Sequence, residues 1–184
     1  MYKALKPVRV ALVIAALTFV AADPSVATVM SVGPSGFEIK QTVHIAASPD
    51  KVYAALVQPS LWWDSGHTFS QNAANLSLDA HAGGCFCEAL PNGGSVQHEV
   101  VIQAAPGEAL VMHGALGPFQ ARGVDGALAF RLTAAAGGTD LTMTNDLGGY
   151  MAEGFADWAP RADAMLAGQM ARLKAYLETG KPGA

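Results

Sequence analysis

A histidine or carboxylate does chemistry where a hollow removes it from water and a second group orients it. Residue types and spacing are therefore weighed first for that arrangement. The segment Cys85-Phe86-Cys87-Glu88 alternates two thiols with a ring and a carboxylate. Strand side chains repeat every two residues, so Glu88 shares the face of Phe86 and Cys85 that of Cys87. With Phe86 facing an apolar hollow, Glu88 faces it too, and burial raises such a carboxyl toward acid–base use. With the cysteines inward, Glu88 is a solvated face residue. We expect Glu88 inward, although a one-residue slip reverses the assignment.

Histidines stand at 44, 67, 81, 98 and 113. His44 falls on the polar face of a strand-like run and His81 at a strand end, so both read as solvated. His67 lies between Gly66 and Thr68 in a polar loop beside Trp62-Trp63, where a mobile lid would sit. His98 and His113 occupy neighbouring strand-like runs, and alternation can turn one inward. An inward histidine is more often a hydrogen-bonded core residue than a catalyst. The acid–base candidates are thus His67, Glu88 and His98.

Trp62-Trp63 either wall a cavity mouth, where a flat or acyl ligand would enter, or divide between core and loop cover. Phe69 in the same loop, Phe86 and Glu88, and Tyr150 beyond the last strand complete the polar and aromatic candidates for ligand binding. Met112, Met143, Met165 and Met170 suit a pliable interior, and the first three join the candidates.

The two cysteines are the only ones in the chain. On a regular strand their Cα atoms stand roughly 6.5 Å apart, near the upper limit for a disulfide, so free buried thiols are expected. A Cys-x-Cys without a second close pair is a weak zinc pattern, and no metal is expected. No phosphate loop, dinucleotide glycine pattern, nucleophile elbow or His-Glu-x-x-His occurs, so no cofactor is expected.

The elements that must position these residues follow from periodicity. Phe37, Ile39, Val43 and Ile45 alternate with polar residues, predicting a strand with one buried face. Ser48-Pro49-Asp50 reads as a helix start with Ser48 as cap, and Val52, Tyr53, Leu56 and Val57 supply the apolar side. A second short turn carries Leu61-Trp62-Trp63. Strand-like runs follow at 76–82, 85–90, 96–104, 109–116, 127–134 and 141–146, separated by glycine and proline turns. From Phe155 to Leu177, apolar residues recur at three- and four-residue intervals, predicting one long amphipathic helix, with Pro160 in its first turn or at a kink. The expected fold class is α+β, a curved antiparallel sheet of about seven strands wrapped around the long C-terminal helix. One helix does not fill a wide concave sheet, which leaves a hollow.

The opening segment reads as a secretory signal. Lys3, Lys6 and Arg9 precede a run from Val10 to Ala22 that is apolar but for Thr18, and small residues follow. That run is shorter than the roughly 20 residues that span a bilayer, so no permanent membrane anchor is expected. Cleavage fits after Ala22 or Ala27, the second being preferred. The expected organisation is signal peptide 1–27, linker 28–36, domain 37–180 and tail 181–184, and the protein is expected to be exported, periplasmic or secreted. Net charge is −4, from 11 bases and 15 acids. Losing three bases and Asp23 leaves 8 against 14, or −6. A mildly acidic domain without a basic stripe is a poor nucleic-acid binder, and no nucleic-acid partner is expected. The pattern specifies no oligomeric state.

Ala47-Ser48-Pro49-Asp50-Lys51-Val52-Tyr53, Trp62-Trp63, Asn75-Leu76-Ser77-Leu78-Asp79, Gly83 to Glu88 and Leu173 to Gly180 together resemble the START-like (SRPBCC, Bet v 1-like) superfamily. The likeness is to its helix-grip, polyketide-cyclase-like members, and more narrowly to bacterial domains of the Hsp90-ATPase-activator homology group. It spans residues 37 to 180. It implies a helix-grip fold, which hosts carriers, cyclases, hydrolases and chaperone modulators alike. An intracellular chaperone role is not carried over to an exported chain. The function expected is an exported carrier whose apolar cavity binds a hydrophobic or aromatic small molecule. The alternative is a cyclase, dehydratase or hydrolase using cavity Glu and His as acid and base.

Overall fold

A computed structural model describes residues 29–183; the expected signal segment, 1–27, lies outside the described residues. The elements run β1 (Val29–Gly33), β2 (Gly36–Ile45), α1 (Pro49–Leu56), three short 3-10 turns, then β3 (Leu76–Leu78), β4 (Cys85–Ala89), β5 (Ser95–Ala105), β6 (Ala109–Gly114), β7 (Gly123–Ala135), β8 (Gly138–Tyr150) and α2 (Ala159–Thr179). The fold is α+β. One antiparallel sheet has the order β1-β2-β8-β7-β6-β5-β4-β3, so β3 to β8 form a meander and β2 returns beside β8.

Burial follows the period of two. Phe37, Ile39, Val43 and Ile45 of β2 and Leu141, Met143 and Leu147 of β8 are buried, and α2 contributes Ala162, Leu166, Met170 and Leu173 to the same core. The polar member of the inward β2 row is Gln41. Its Nε2 donates to the Asp163 carbonyl at 2.8 Å and to Asp163 Oδ1 at 2.7 Å, tying β2 to α2. Pro160 stands in the first turn of α2, where its missing N–H costs nothing, and Gly180 ends the helix at φ 78°.

The structure differs from expectation at several points. Residues 29–33, expected as linker, form β1 and pair with β2, with only Pro34-Ser35 between the strands. Alternation over five residues ending in glycine carries too little pattern to announce a strand, and pairing with β2 supplies the missing hydrogen bonds. The sheet therefore has eight strands. Strands β7 and β8 are 13 residues each, longer than their apolar runs, because two central strands continue pairing past the last apolar side chain. Ser48 is the N-cap of α1 by position, but its side chain makes no capping hydrogen bond. Phe155 and Trp158 precede α2 instead of lying within it; Phe155 is 1% exposed and anchors the approach to the helix.

The cysteines are a correction too. Cys85 and Cys87 form a disulfide, with Cα atoms 5.4 Å apart. That separation is shorter than the regular strand spacing on which free thiols were expected and lies within the range a disulfide spans. Both sulfurs stand on the half-buried face opposite Phe86 and Glu88.

Candidate functional site

Between the sheet, the N-terminal part of α2 and the loop from Asp64 to Asn72 lies a cavity of about 480 Å³. Its walls are mainly apolar: Trp63, Phe69, Phe86, Leu116, Phe119 and Leu147, with Trp158 just before α2 and Ala162 and Met165 within it. The polar lining comes from His67, Thr68, His98, Glu99, Asn145 and Arg161. The Arg161 guanidinium carbon stands 5.8 Å from the centre of the Trp158 ring, a cation–π distance.

Two local irregularities shape this space. At the β4–β5 slip, Phe86 pairs with Glu99 and Cys87 with Gln97, so His98 is the extra residue. A bulge breaks alternation, and His98 and Glu99, adjacent in sequence, are both buried. Glu99 continues into a cross-sheet row of Gly114, Gly126 and Leu147. A Cβ on Gly114 would come within 2.8 Å of the His98 carbonyl oxygen and 3.1 Å of Glu99 Cα. A Cβ on Gly126 would run into the Asp146 carbonyl. Glycine at both positions lets the strands approach closely beside Glu99.

Glu88 is buried, 1% exposed, and ties three parts of the site together. Its Oε2 accepts from the Phe69 N–H at 3.1 Å and lies 3.0 Å from His98 Nε2, and its Oε1 accepts from the Ser70 N–H. Burial pushes the Glu88 carboxyl up, but the hydrogen bonds from Ser70, Phe69 and His98 outweigh it and hold the group below the usual carboxylate range. Burial lowers His98 against the opposing pull of Glu88. The pair is therefore a carboxylate beside a neutral imidazole, with Nε2–H donating and Nδ1 left as an acceptor. Among the described residues, no protein group hydrogen-bonds to that buried Nδ1. The ring lies between Phe86 and Phe69, at centroid distances of 5.0 and 6.0 Å.

Glu99 is different. Burial, assisted by the charge of Asp125, pushes its carboxyl up to about 8, so at neutral pH it carries a proton. Its Oε2 is buried and has no hydrogen-bond partner among the described residues.

The loop over the cavity is held along its first half. Asp64 N–H donates to Gln169 Oε1 at 2.9 Å, and Trp63 Nε1 donates to the His67 carbonyl at 3.1 Å. His67 Nδ1 lies 3.2 Å from Gln169 Nε2 and 3.2 Å from Asp64 Oδ2, at the half-exposed rim. Phe69 is 53% exposed at the mouth.

Of the residues singled out from the sequence, Trp63, His67, Phe69, Phe86, His98 and Met165 line the cavity. Others stand elsewhere. Trp62 packs inward and donates from Nε1 to the Ala55 carbonyl at 2.8 Å. Trp62 and Met112 border a separate void of about 10 Å³. Met143 is wholly buried, and Met170 packs into the core at 2% exposure. Tyr150 is 76% exposed at the far end of β8, because the strand outruns the covered part of the sheet. Glu88 stands behind His98 and outside the cavity lining. His44 and His113 are exposed beside Asp140 and Asp125, and His81 sits in the β3–β4 loop beside Asp79. Alternation missed Glu99, since a regular strand turns only one of two neighbours inward; adjacent polar residues inside an apolar run were the available signal for a bulge. Arg161, Trp158, Phe119 and Asn145 were also missed, being brought together from α2, the turn after β6, and β8. Among the described residues, no three His, Cys, Asp or Glu side chains converge as a metal site.

Residues 36–178 match the family described as polyketide cyclase / dehydrase and lipid transport. Solved structures share the fold. A conserved protein of unknown function from Enterococcus faecalis superposes with TM-score 0.59 at 16% identity, over 84% of this chain and 78% of that one. Aha1 from Colwellia psychrerythraea gives 0.53 at 20%, over 78% and 98%. CalU16 from Micromonospora echinospora gives 0.52 at 16%, over 80% and 78%. No curated protein sequence matches significantly.

Proposed function

We propose, from the premise that the chain belongs to the polyketide cyclase / dehydrase and lipid transport family, that this domain is a carrier enclosing a hydrophobic or aromatic small molecule. The cavity carries the reading. Its volume of about 480 Å³ falls within the range of small-molecule sites, roughly 300–1,000 Å³. Aromatic walls and a few polar groups suit a flat, mostly apolar guest. Trp63 and Trp158 line the cavity, so a guest changes their emission. The test is native mass spectrometry of protein recovered from its own host, followed by titration of apolar and aromatic compounds against tryptophan fluorescence. Saturable quenching and a co-purifying mass support the reading. A protein that is consistently empty, with no thermal shift across the library, refutes it.

Export belongs to the same proposal. The charged-then-apolar opening segment supports it, and the Cys85–Cys87 disulfide suits an oxidising compartment. Protein recovered from cells should begin at Thr28 or Asp23; an N-terminus at Met1 overturns export.

A second reading, acid–base catalysis of the cyclase or dehydratase kind, is favoured by one observation. His98 and Glu99 line one cavity with proton affinities moved in opposite directions, a pattern that separates a base from an acid. A co-purified guest that the protein returns unchanged after prolonged incubation excludes this reading.

A further inference from the structure

Arg161 lines the cavity from α2, and it is the only lysine or arginine among the described lining residues. Trp158, Arg161, Ala162 and Met165 line the cavity together, and their spacing of three and four residues puts them on one face. Ala162 is buried and Arg161 exposed, so the guanidinium stands at the watered rim of that face.

Its head group is positioned but not neutralised. The Trp158 ring meets Phe119 edge-on at 5.4 Å, and the guanidinium carbon of Arg161 stands 5.8 Å from the same ring. Stacking on an aromatic face holds a guanidinium in place and leaves its N–H donors available at the edge. Among the described residues Arg161 joins no ion pair and no side-chain hydrogen bond. Arg122, by contrast, pairs with Glu153, and Arg172 donates to the Trp62 and Gly183 carbonyls. The first turn of α2 contains no acidic residue to offset the cation.

The nearby carboxyl groups are engaged elsewhere. Glu88 accepts from Phe69, Ser70 and His98, Asp163 accepts from Gln41, and Asp64 lies 3.2 Å from His67 Nδ1. Glu99 belongs to the sheet wall, is 3% exposed, and keeps its proton at neutral pH because burial pushes it up to about 8. Asp157, four residues before Arg161, is exposed to water, where its pull on the guanidinium is small. A guest that fills an apolar space and reaches an uncompensated cation at the rim carries one negative group on an apolar body.

We propose that the cavity takes apolar molecules bearing a single carboxylate, with the body among Trp63, Phe86 and Leu147 and the carboxylate paired with Arg161 at the rim. This rests on the carrier reading and narrows it. A planar carboxylate matches the guanidinium fork through two parallel hydrogen bonds. Since Arg161 is exposed, the carboxylate keeps part of its hydration and avoids the penalty of a fully buried ion pair.

The test is displacement of N-phenyl-1-naphthylamine, an uncharged fluorescent probe, at pH 7 and low salt. The competitors are anthracene-2-carboxylate and anthracene-2-carboxamide, which share one shape and differ in charge. Wild-type protein should bind the carboxylate about tenfold tighter than the amide, the worth of a charge-assisted hydrogen bond. In Arg161→Met the ratio should fall close to one through loss of carboxylate binding, while the amide binds as before. Unchanged amide binding also shows that the variant is folded. Arg161→Lys keeps the charge and loses the fork, so its ratio should fall between the two. Equal binding of both compounds to wild type overturns the proposal, as does a ratio that persists in Arg161→Met. If the probe binds and neither competitor displaces it, the narrowed ligand class falls and the carrier reading stands. If neither the probe nor any other apolar compound binds, the carrier reading falls with it.

Discussion

Replacing Glu99 with glutamine should stabilise the protein by an amount that grows with pH. Glu99 moves from an ordinary 4.5 when unfolded to about 8 when folded, so the folded state holds a proton that the unfolded state releases. Below pH 4.5 both states are protonated and the group contributes no penalty. As pH rises from 4.5 to 8, folding must recapture the proton, and stability falls by about 1.4 kcal/mol per unit. Above pH 8 the penalty is constant. Glutamine keeps the shape and does not titrate, and other ionisable groups contribute similarly to both proteins. Between pH 5 and pH 7 the advantage of Glu99→Gln should therefore grow by about 3 kcal/mol, or roughly 6–12 °C in Tm for a domain of this size. Urea denaturation of both proteins, followed by tryptophan fluorescence at several pH values, measures it. A difference that stays level from pH 5 to 8 means Glu99 titrates like a solvated carboxyl, which refutes its protonated state in the cavity wall.

Other substitutions test the supports of the site. Glu88→Gln should cost about 2–4 kcal/mol at pH 7, because one amide oxygen cannot serve the Phe69, Ser70 and His98 donors together. The Glu88 contribution is present above its unfolded pKa and lost as pH falls through the lower folded one, so the gap to wild type should close in acid; a constant gap contradicts the assignment. Amide exchange at Phe69 and Ser70 should quicken in the same variant. Gly126→Ala should lower stability by about 3 kcal/mol or more, as its Cβ meets the Asp146 carbonyl; an unchanged Tm rejects the close strand approach. The oxidised native protein should show no reactive thiol, and replacing Cys85 and Cys87 with serine should cost only about 1.5 kcal/mol, the entropy of a very short loop.

The alternation of Phe37, Ile39, Val43 and Ile45 and the helical spacing from Ala162 to Leu173 were legible because apolar burial imposes a period of two on strands and near 3.6 on helices. The same logic turned Glu88 inward with Phe86. It failed at β1, which has five residues and carries too little alternation to read, and at Tyr150, where a strand outruns its cover. It failed again at Cys85 and Cys87, whose Cα atoms stand 5.4 Å apart, closer than regular strand spacing places them.

Cys85, Phe86, Cys87 and Glu88 show where the division falls. Their order alone determined that the carboxylate shares a face with the ring and the thiols share the other, because that follows from backbone geometry within one strand. What Glu88 does was decided by the tertiary structure. A register slip against β5 placed His98 and Glu99 side by side, joined one to Glu88, and left the other protonated in an apolar wall. A bulge arises from the match between two strands, and the electrostatics of a cavity arise from everything that excludes water from it. Neither is a property of any one segment.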